Sequence, residues 1–330
     1  MSQLAFEQTP SSSASPSSSS FNSLLLNNLP EGISVHPIAG RIGAEVRGIK
    51  LSADLPHHLQ EIVRTAWLKY KVVFFRDQDH VTDESQEALA QIFGETSVAH
   101  PTARIKEGTS VILELDSQHG GRADSWHTDV TFVPDYPKAS ILRNIVAPDA
   151  GGATVWANTH AAYEELPPAL QQLAESLWSV HSNEYDYAVR KVNVNAEALR
   201  KYREEFTSTI YETEHPLIHV HPDTQEKSLI LGHFFKRFVG LSQRDSQQLF
   251  QLFQERITSQ ENTVRWNWQP HDIAIWDNRA TQHYAVNDYG DAHRVVRRVT
   301  VKGDIPISVD GQHSRLLKRE PNPAQLKAAV

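Results

Sequence analysis

The chain has 330 residues, 39% of them hydrophobic and 22% charged, the balance of a globular protein with enough apolar mass for a core. Its formal charge of −8 argues against a nucleic-acid surface, which needs a basic patch, and no apolar run is long enough to span a bilayer. The absence of cysteine excludes disulfides, thiolate metal sites and a cysteine nucleophile, so any metal must be held by His, Asp, Glu or carbonyl oxygen.

Residues 9–20 (TPSSSASPSSSS) form a Ser/Pro tract that cannot bury a core, so residues 1–30 are expected to be disordered and residues 31–330 to form one domain. No Lys or Arg precedes Arg41, and Leu24–Leu26 is too short for a signal core, which favours a cytoplasmic protein. Ile33–Pro37 and Ala44–Ile49 alternate like short strands around Gly40 and Gly43. Pro56–Lys69 places Leu59, Ile62, Val63, Ala66 and Trp67 at helical spacing, and Val72–Phe75 follows as a buried strand. A second helix is expected from Thr82, an N-cap residue type, to about Phe93.

Strand signals dominate thereafter: Val111–Leu115, Asp129–Phe132, Ala139–Val146, Ala153–Ala157, Leu217–Val220, Ser228–Leu231, Asp272–Asp277 and Val295–Val301. Helices are expected at Thr159–Leu166, Pro168–Leu177 and Ser242–Ser259. The polar span 182–216 lacks a clean period and reads as a long loop or mobile lid, with one helix near Ala196–Glu205. Many short strands with a few flanking helices predict a mainly β, α+β fold closed as a double-sheet barrel or jelly roll.

Within Ser125–Phe132, His127 and Asp129 would share one face of a strand and supply two ligands of a two-histidine, one-carboxylate iron centre. With 17 histidines a His-x-Asp is expected about once by chance, and a second one occurs at His221–Pro222–Asp223. Pro222 suits a turn better than a rigid strand, which makes that pair a structural element and not a metal pair. His283, after the Asp272–Asp277 strand and a polar turn, is the best distant third ligand. Further on, Arg294, Val296, Arg298 and Thr300 share one face of a strand. Arginines turned inward need anions to meet their charge, whereas on an edge strand they would simply face water.

WHTDVTF (126–132), GGATVWAN (151–158), WDNRATQHYAVNDY (276–289) and the Arg294/Arg298 pair together resemble the taurine dioxygenase family of Fe(II)- and α-ketoglutarate-dependent oxygenases. The likeness runs from about Val35 to Pro306 and implies a double-stranded β-helix. It implies that His127, Asp129 and His283 hold Fe(II), and that Arg294 and Thr154 hold the far carboxylate of α-ketoglutarate, with O2 as the third reactant. It further implies that Arg298 and His100 bind a sulfonate or sulfate, that Phe235 or its neighbour Phe234 lines the apolar pocket, and that Val130 and Trp276 pack beside it. The taurine enzymes align a Tyr and an Asn near positions 103 and 123, where this chain has Ala103 and Ala123. Small apolar residues suit a greasier tail than an ammonium group, and HPIAGRIGAE, AHPT and VHSNEYDYA resemble the alkylsulfatase branch.

These features imply hydroxylation of the carbon next to the sulfate oxygen of an alkyl sulfate ester, in a homodimer or homotetramer with a small anionic organosulfur substrate. A taurine or alkanesulfonate dioxygenase releasing sulfite is the alternative. A zinc hydrolase could use the same three ligands but would give Arg294 and Thr154 no purpose, and a catalytically inactive cupin-like protein would not need the full set.

Overall fold

The computed structural model describes residues 25–98, 100–102, 111–118, 123–184 and 204–322. β1 (Ser34–Pro37) and β2 (Ala44–Arg47) pair antiparallel, and β2 then runs parallel to β3 (Val72–Phe75). Between them lies α1 (His57–Tyr70), whose Ile62, Val63, Ala66 and Trp67 are buried as their spacing requires. α2 (Asp83–Ala90) starts at Thr82 as expected, because the Thr82 hydroxyl accepts from the Ser85 N–H and the Ser85 hydroxyl accepts from the Thr82 N–H. It ends short of Phe93.

β4 (Ile112–Asp116), β5 (Ala139–Val146) and β6 (Thr154–Asn158) follow, then α3 (Thr159–Glu164) and α4 (Pro168–Ser176). β7 (Trp178–Ser182), β8 (Thr209–Pro216), β9 (Ile218–Val220), β10 (Lys227–Leu229) and β11 (Phe235–Phe238) precede α5 (Gln243–Ile257), which Ser242 caps. The chain closes with β12 (Thr263–Trp266), β13 (Ile273–Asp277), β14 (Thr281–Ala285), β15 (Val295–Val301) and β16 (Arg315–Pro321).

A seven-stranded sheet runs β1-β2-β3-β13-β5-β15-β4, and the other strands form sheets ordered β11-β7-β8-β16, β12-β6-β14 and β10-β9. Alternation divides the large sheet into two faces. Val73, Phe75, Ile141, Ile273, Ile275, Val299 and Val301 pack in one core with α1 and α2 residues such as Trp67 and Leu89. Val72, Phe74, Leu142, Ala274, Trp276 and Val296 point the other way and meet Trp156, Val264 and Trp266 of the β12-β6-β14 sheet. This sheet-on-sheet arrangement is the jelly roll expected from the strand pattern.

Two sequence readings need correction, and one open choice is resolved. Asp129–Phe132 is a turn and not a strand. Part of the span 182–216 is ordered sheet, since Thr209–Pro216 is β8, buried along most of its length; residues 185–203 lie outside the described residues. Finally, β15 is flanked by β5 and β4 and is no edge strand, so Arg294 and Arg298 are buried, at 8% and 7% exposure. Among the described residues, no helix is long and apolar enough to cross a membrane.

Candidate active site

His127 and His283 face each other across an isolated antiparallel bridge, with reciprocal backbone hydrogen bonds of 3.0 and 2.8 Å. His283 sits in the middle of β14, and the two imidazole centroids are 4.1 Å apart. Asp129 completes the group: its Oδ1 lies 3.8 Å from Nε2 of each histidine. The three donor atoms fall within 4.8 Å of one another, and all three residues are buried. His127 Nδ1 lies 2.7 Å from the Ser125 carbonyl, which can only accept, so the proton sits on Nδ1 and the Nε2 lone pair faces Asp129.

Strand alternation does not bring Asp129 here. The chain leaves the ladder after His127, and Val130 adopts φ 45°, a left-handed conformation unusual for a β-branched residue. Side chains replace the missing ladder. Thr128 Oγ1 donates to Thr281 O (2.8 Å), and Asp129 N–H donates to Asn278 Oδ1 (3.1 Å). His215 Nε2 donates to Thr131 O (2.7 Å), Thr131 Oγ1 and His181 Nδ1 share a bond of 2.8 Å, and Thr213 Oγ1 donates to Phe132 O (2.7 Å). The buried polar residues of β7, β8 and β14 thus hold the turn. On its other side Gly232, with φ 115°, passes so close that a Cβ would lie 3.0 Å from Trp126 O and 3.2 Å from His127 Cα.

Electrostatics keep the three donors unprotonated. Burial lowers the pKa of His127 and takes His283 well below the usual histidine value, keeping both imidazoles neutral and able to ligate. Burial alone would raise the Asp129 carboxyl, but the Arg298 charge beside it and the Ser140 hydrogen bond hold it well below the usual carboxylate range. Ser140 Oγ donates to Oδ2 at 2.9 Å, and Arg298 Nη1 donates to Oδ1, the oxygen that faces both imidazoles. Two neutral imidazoles and one carboxylate oxygen converging in a buried pocket fit a divalent iron, by the chemistry of the donor set.

Among the other expected residues, Arg298 reaches Asp129 directly, Arg294 and Thr154 meet Gly152 and Trp268, and one falls outside its expected place as an exception. His100 is buried against Phe206 and Phe132, with ring centroids 5.3 and 6.0 Å away. Its Nδ1 accepts from Thr102 N–H at 3.2 Å, so the ring proton sits on Nε2. Burial, and then the Arg298 charge, push its pKa down to about 3, so it is a neutral donor. Arg294 Nε donates to Gly152 O (3.2 Å), and Gly152 has φ 67° with no room for a side chain, a Cβ there lying 3.2 Å from Arg294 Cδ. Thr154 Oγ1 accepts from Trp268 Nε1 at 2.9 Å. Trp276 lies against His283, centroids 4.9 Å apart.

Phe235 is the exception. It packs with Phe238 and Phe250 in a separate core, at 4.7 and 5.0 Å. Its neighbour Phe234 takes the place beside the centre, 6.3 Å from the His127 ring and clustered with Val130, Phe132, Phe206 and Ile230. His221 and Asp223 lie elsewhere as expected, His221 donating to Asp277 Oδ2 (2.8 Å) and Asp223 pairing with Arg279 (2.9 Å). Of the alanines, Ala123 accepts from Ala285 N–H at 2.9 Å, and Ala103 lies outside the described residues. Sequence reasoning missed Ser140, Asn278, Phe206 and the His181–His215 pair. Only Asn278 carried a signal, its place inside WDNRATQH.

The chain matches the model of the "Taurine catabolism dioxygenase TauD, TfdA family" over residues 34–300. An alpha-ketoglutarate-dependent sulfate ester dioxygenase of Pseudomonas putida is 58% identical over 287 residues, 87% of this chain and 95% of that protein. An alkylsulfatase of Acinetobacter baylyi is 55% identical over 286 residues, 87% of this chain and 90% of that protein. A solved taurine dioxygenase from Burkholderia xenovorans superposes with a TM-score of 0.74 at 35% identity, covering 91% of this chain and 99% of that one. The fold and these relatives agree along nearly the whole described length, and the chain therefore belongs to the taurine catabolism dioxygenase TauD, TfdA family.

Proposed function

We propose that this protein is an Fe(II)- and α-ketoglutarate-dependent dioxygenase that hydroxylates the carbon next to the sulfate oxygen of alkyl sulfate esters. The carrying observation is the near-full-length likeness, at 58% and 55% identity, to proteins named for sulfate esters and alkyl sulfates. His127, Asp129 and His283 would hold the iron. When bound, iron and α-ketoglutarate supply the oxidising power: one atom of O2 goes to succinate as CO2 leaves, and the other enters the substrate C–H bond.

The chain's own contribution is orientation. Trp268 already donates to the Thr154 oxygen, so the Thr154 hydroxyl keeps its proton for a carboxylate oxygen of the cosubstrate. Arg294, anchored through Nε to Gly152 O, supplies the guanidinium that pairs with the same carboxylate. Arg298 and the His100 Nε2–H grip the sulfate group. Val130, Phe132, Phe206 and Phe234 give the alkyl tail an apolar wall and keep water away. The hydroxylated carbon then carries both a hydroxyl and a sulfate oxygen. Loss of the hydroxyl proton forms the aldehyde C=O as the carbon–oxygen bond to sulfate breaks, and the donors of Arg298 and His100 meet the departing charge.

Anaerobic Fe(II) with α-ketoglutarate should give a weak visible charge-transfer band that Asp129→Ala lacks. Succinate production should then be higher with medium-chain alkyl sulfates than with taurine. Absence of the band refutes the centre, and preference for taurine refutes the substrate.

A further inference from the structure

The turn that carries Asp129 poses a physical problem that the sheets leave unsolved. Asp129 belongs to no strand, and the next residue, Val130, is held at φ 45°. Such a conformation persists in a β-branched residue only when neighbours impose it. The side chain best placed to impose it is Asn278, 1% exposed, in the turn between β13 and β14.

Its Oδ1 accepts from the Asp129 N–H at 3.1 Å, while its Nδ2 donates to Pro137 O at 3.0 Å and to Asp129 O at 3.4 Å. Its own N–H donates to Lys138 O at 2.9 Å, on the segment that enters β5. One amide therefore spans the Asp129 residue from N–H to carbonyl, using both its accepting and donating ends. Asn278 is itself fixed from behind. Asp277 receives the His221 imidazole and, through two bonds, the Arg279 guanidinium, and its N–H donates to Lys71 O at 2.7 Å. Five residues further along the same hairpin is His283.

We infer that Asn278 is a positioning residue for the metal centre: its side-chain amide holds Asp129 in the strained turn and, standing at the head of the hairpin that carries His283, sets the carboxylate against that second ligand. This role presumes that His127, Asp129 and His283 hold a divalent metal. Asn278 touches neither metal nor substrate and acts through Asp129 alone. An aspartate at 278 has the same size and can still accept from the Asp129 N–H, but it cannot donate to either carbonyl.

Anaerobic Mn(II) titration followed by the EPR signal of the free ion tests this without any turnover, on wild type, D129A, N278A, N278D and the double variant V130G/N278A. Wild type should bind and D129A should not; equal binding by these two overturns the metal assignment itself. N278A and N278D should bind about tenfold or more weakly, the usual cost of losing a residue that orients a ligand, with near-UV circular dichroism unchanged. V130G should restore part of the affinity lost in N278A, because glycine occupies φ 45° without strain. Binding by N278A and N278D within about twofold of wild type overturns the positioning role while leaving the metal site standing, and so does a loss that V130G fails to restore. If N278A does not fold, the isosteric N278D decides. Failure of both to fold also overturns the inference, since Asn278 would then serve the fold and not the centre.

Discussion

Arg298→Met would remove the guanidinium from Asp129 Oδ1 while keeping much of the side chain's volume. In the wild-type fold both partners are buried, with side chains 8% and 4% exposed, so the carboxylate has little water to turn to when the arginine goes. Breaking such a pair costs about 3–5 kcal/mol, because an uncompensated charge stays inside the protein. Spread over the unfolding entropy of a domain of this size, that corresponds to a drop of roughly 5–8 °C in Tm for the metal-free protein at pH 7. A bound dication takes over the compensating role, so saturating Mn(II) should close most of the gap. The pH dependence has a definite sign. The Asp129 carboxyl is depressed in the fold, so the stability it contributes is fully present above the unfolded carboxylate value of about 3.9 and fades as the pH falls below it. The difference between wild type and variant should therefore shrink on acidification below about pH 4. Thermal melts with and without Mn(II) at both pH values make the measurement. Metal-free melting within a degree of wild type, or a gap that Mn(II) leaves untouched, would refute the reasoning.

Other substitutions probe different supports. Ser140→Ala strips Asp129 Oδ2 of its 2.9 Å hydrogen bond and should weaken Mn(II) binding about tenfold, read by the same EPR titration. Thr154→Val leaves the Trp268 indole N–H without its acceptor; about 1–3 kcal/mol of stability should be lost, and the KM for α-ketoglutarate should rise in succinate assays while the KM for substrate stays. Gly232→Ala places a Cβ 3.0 Å from Trp126 O at φ 115°, and about 1–3 kcal/mol of strain should appear as a lower Tm together with weaker metal binding. A wild-type Tm in that variant would mean that the close approach behind His127 is not tight.

Much of the centre was legible from residue types, though for a partly wrong local reason. His127, Asp129 and His283 do converge, yet strand alternation carries only His127 and His283; a left-handed turn delivers Asp129. Periodicity cannot see a single residue at φ 45°. The apolar strands were visible because Val72–Phe75 and Ile273–Asp277 are buried on both faces. β8 was hidden by its own chemistry: the sequence YETEH reads as polar loop, but Thr213 and His215 are buried because each bonds a carbonyl of the turn that carries Asp129. β14 was hidden in the same way, with Thr281 and Gln282 buried beside His283. β16 was hidden for the opposite reason, since it is exposed along most of its length and shows no core-facing alternation. The choice between Phe234 and Phe235 turns on which of two adjacent side chains faces the centre, which composition cannot decide.

The strand order of the large sheet has a consequence for how the protein is made. β13 lies between β3 and β5, so two strands from the first half of the chain can join only through one that is synthesised about 200 residues after β3. Until then β3 and β5 expose unpaired, apolar edges on the nascent chain, a state in which chaperones have most to do. His283 emerges later still, directly after β13. A chain still short of β14 lacks one of the three residues proposed to hold the metal, so the centre cannot assemble until that hairpin has been made.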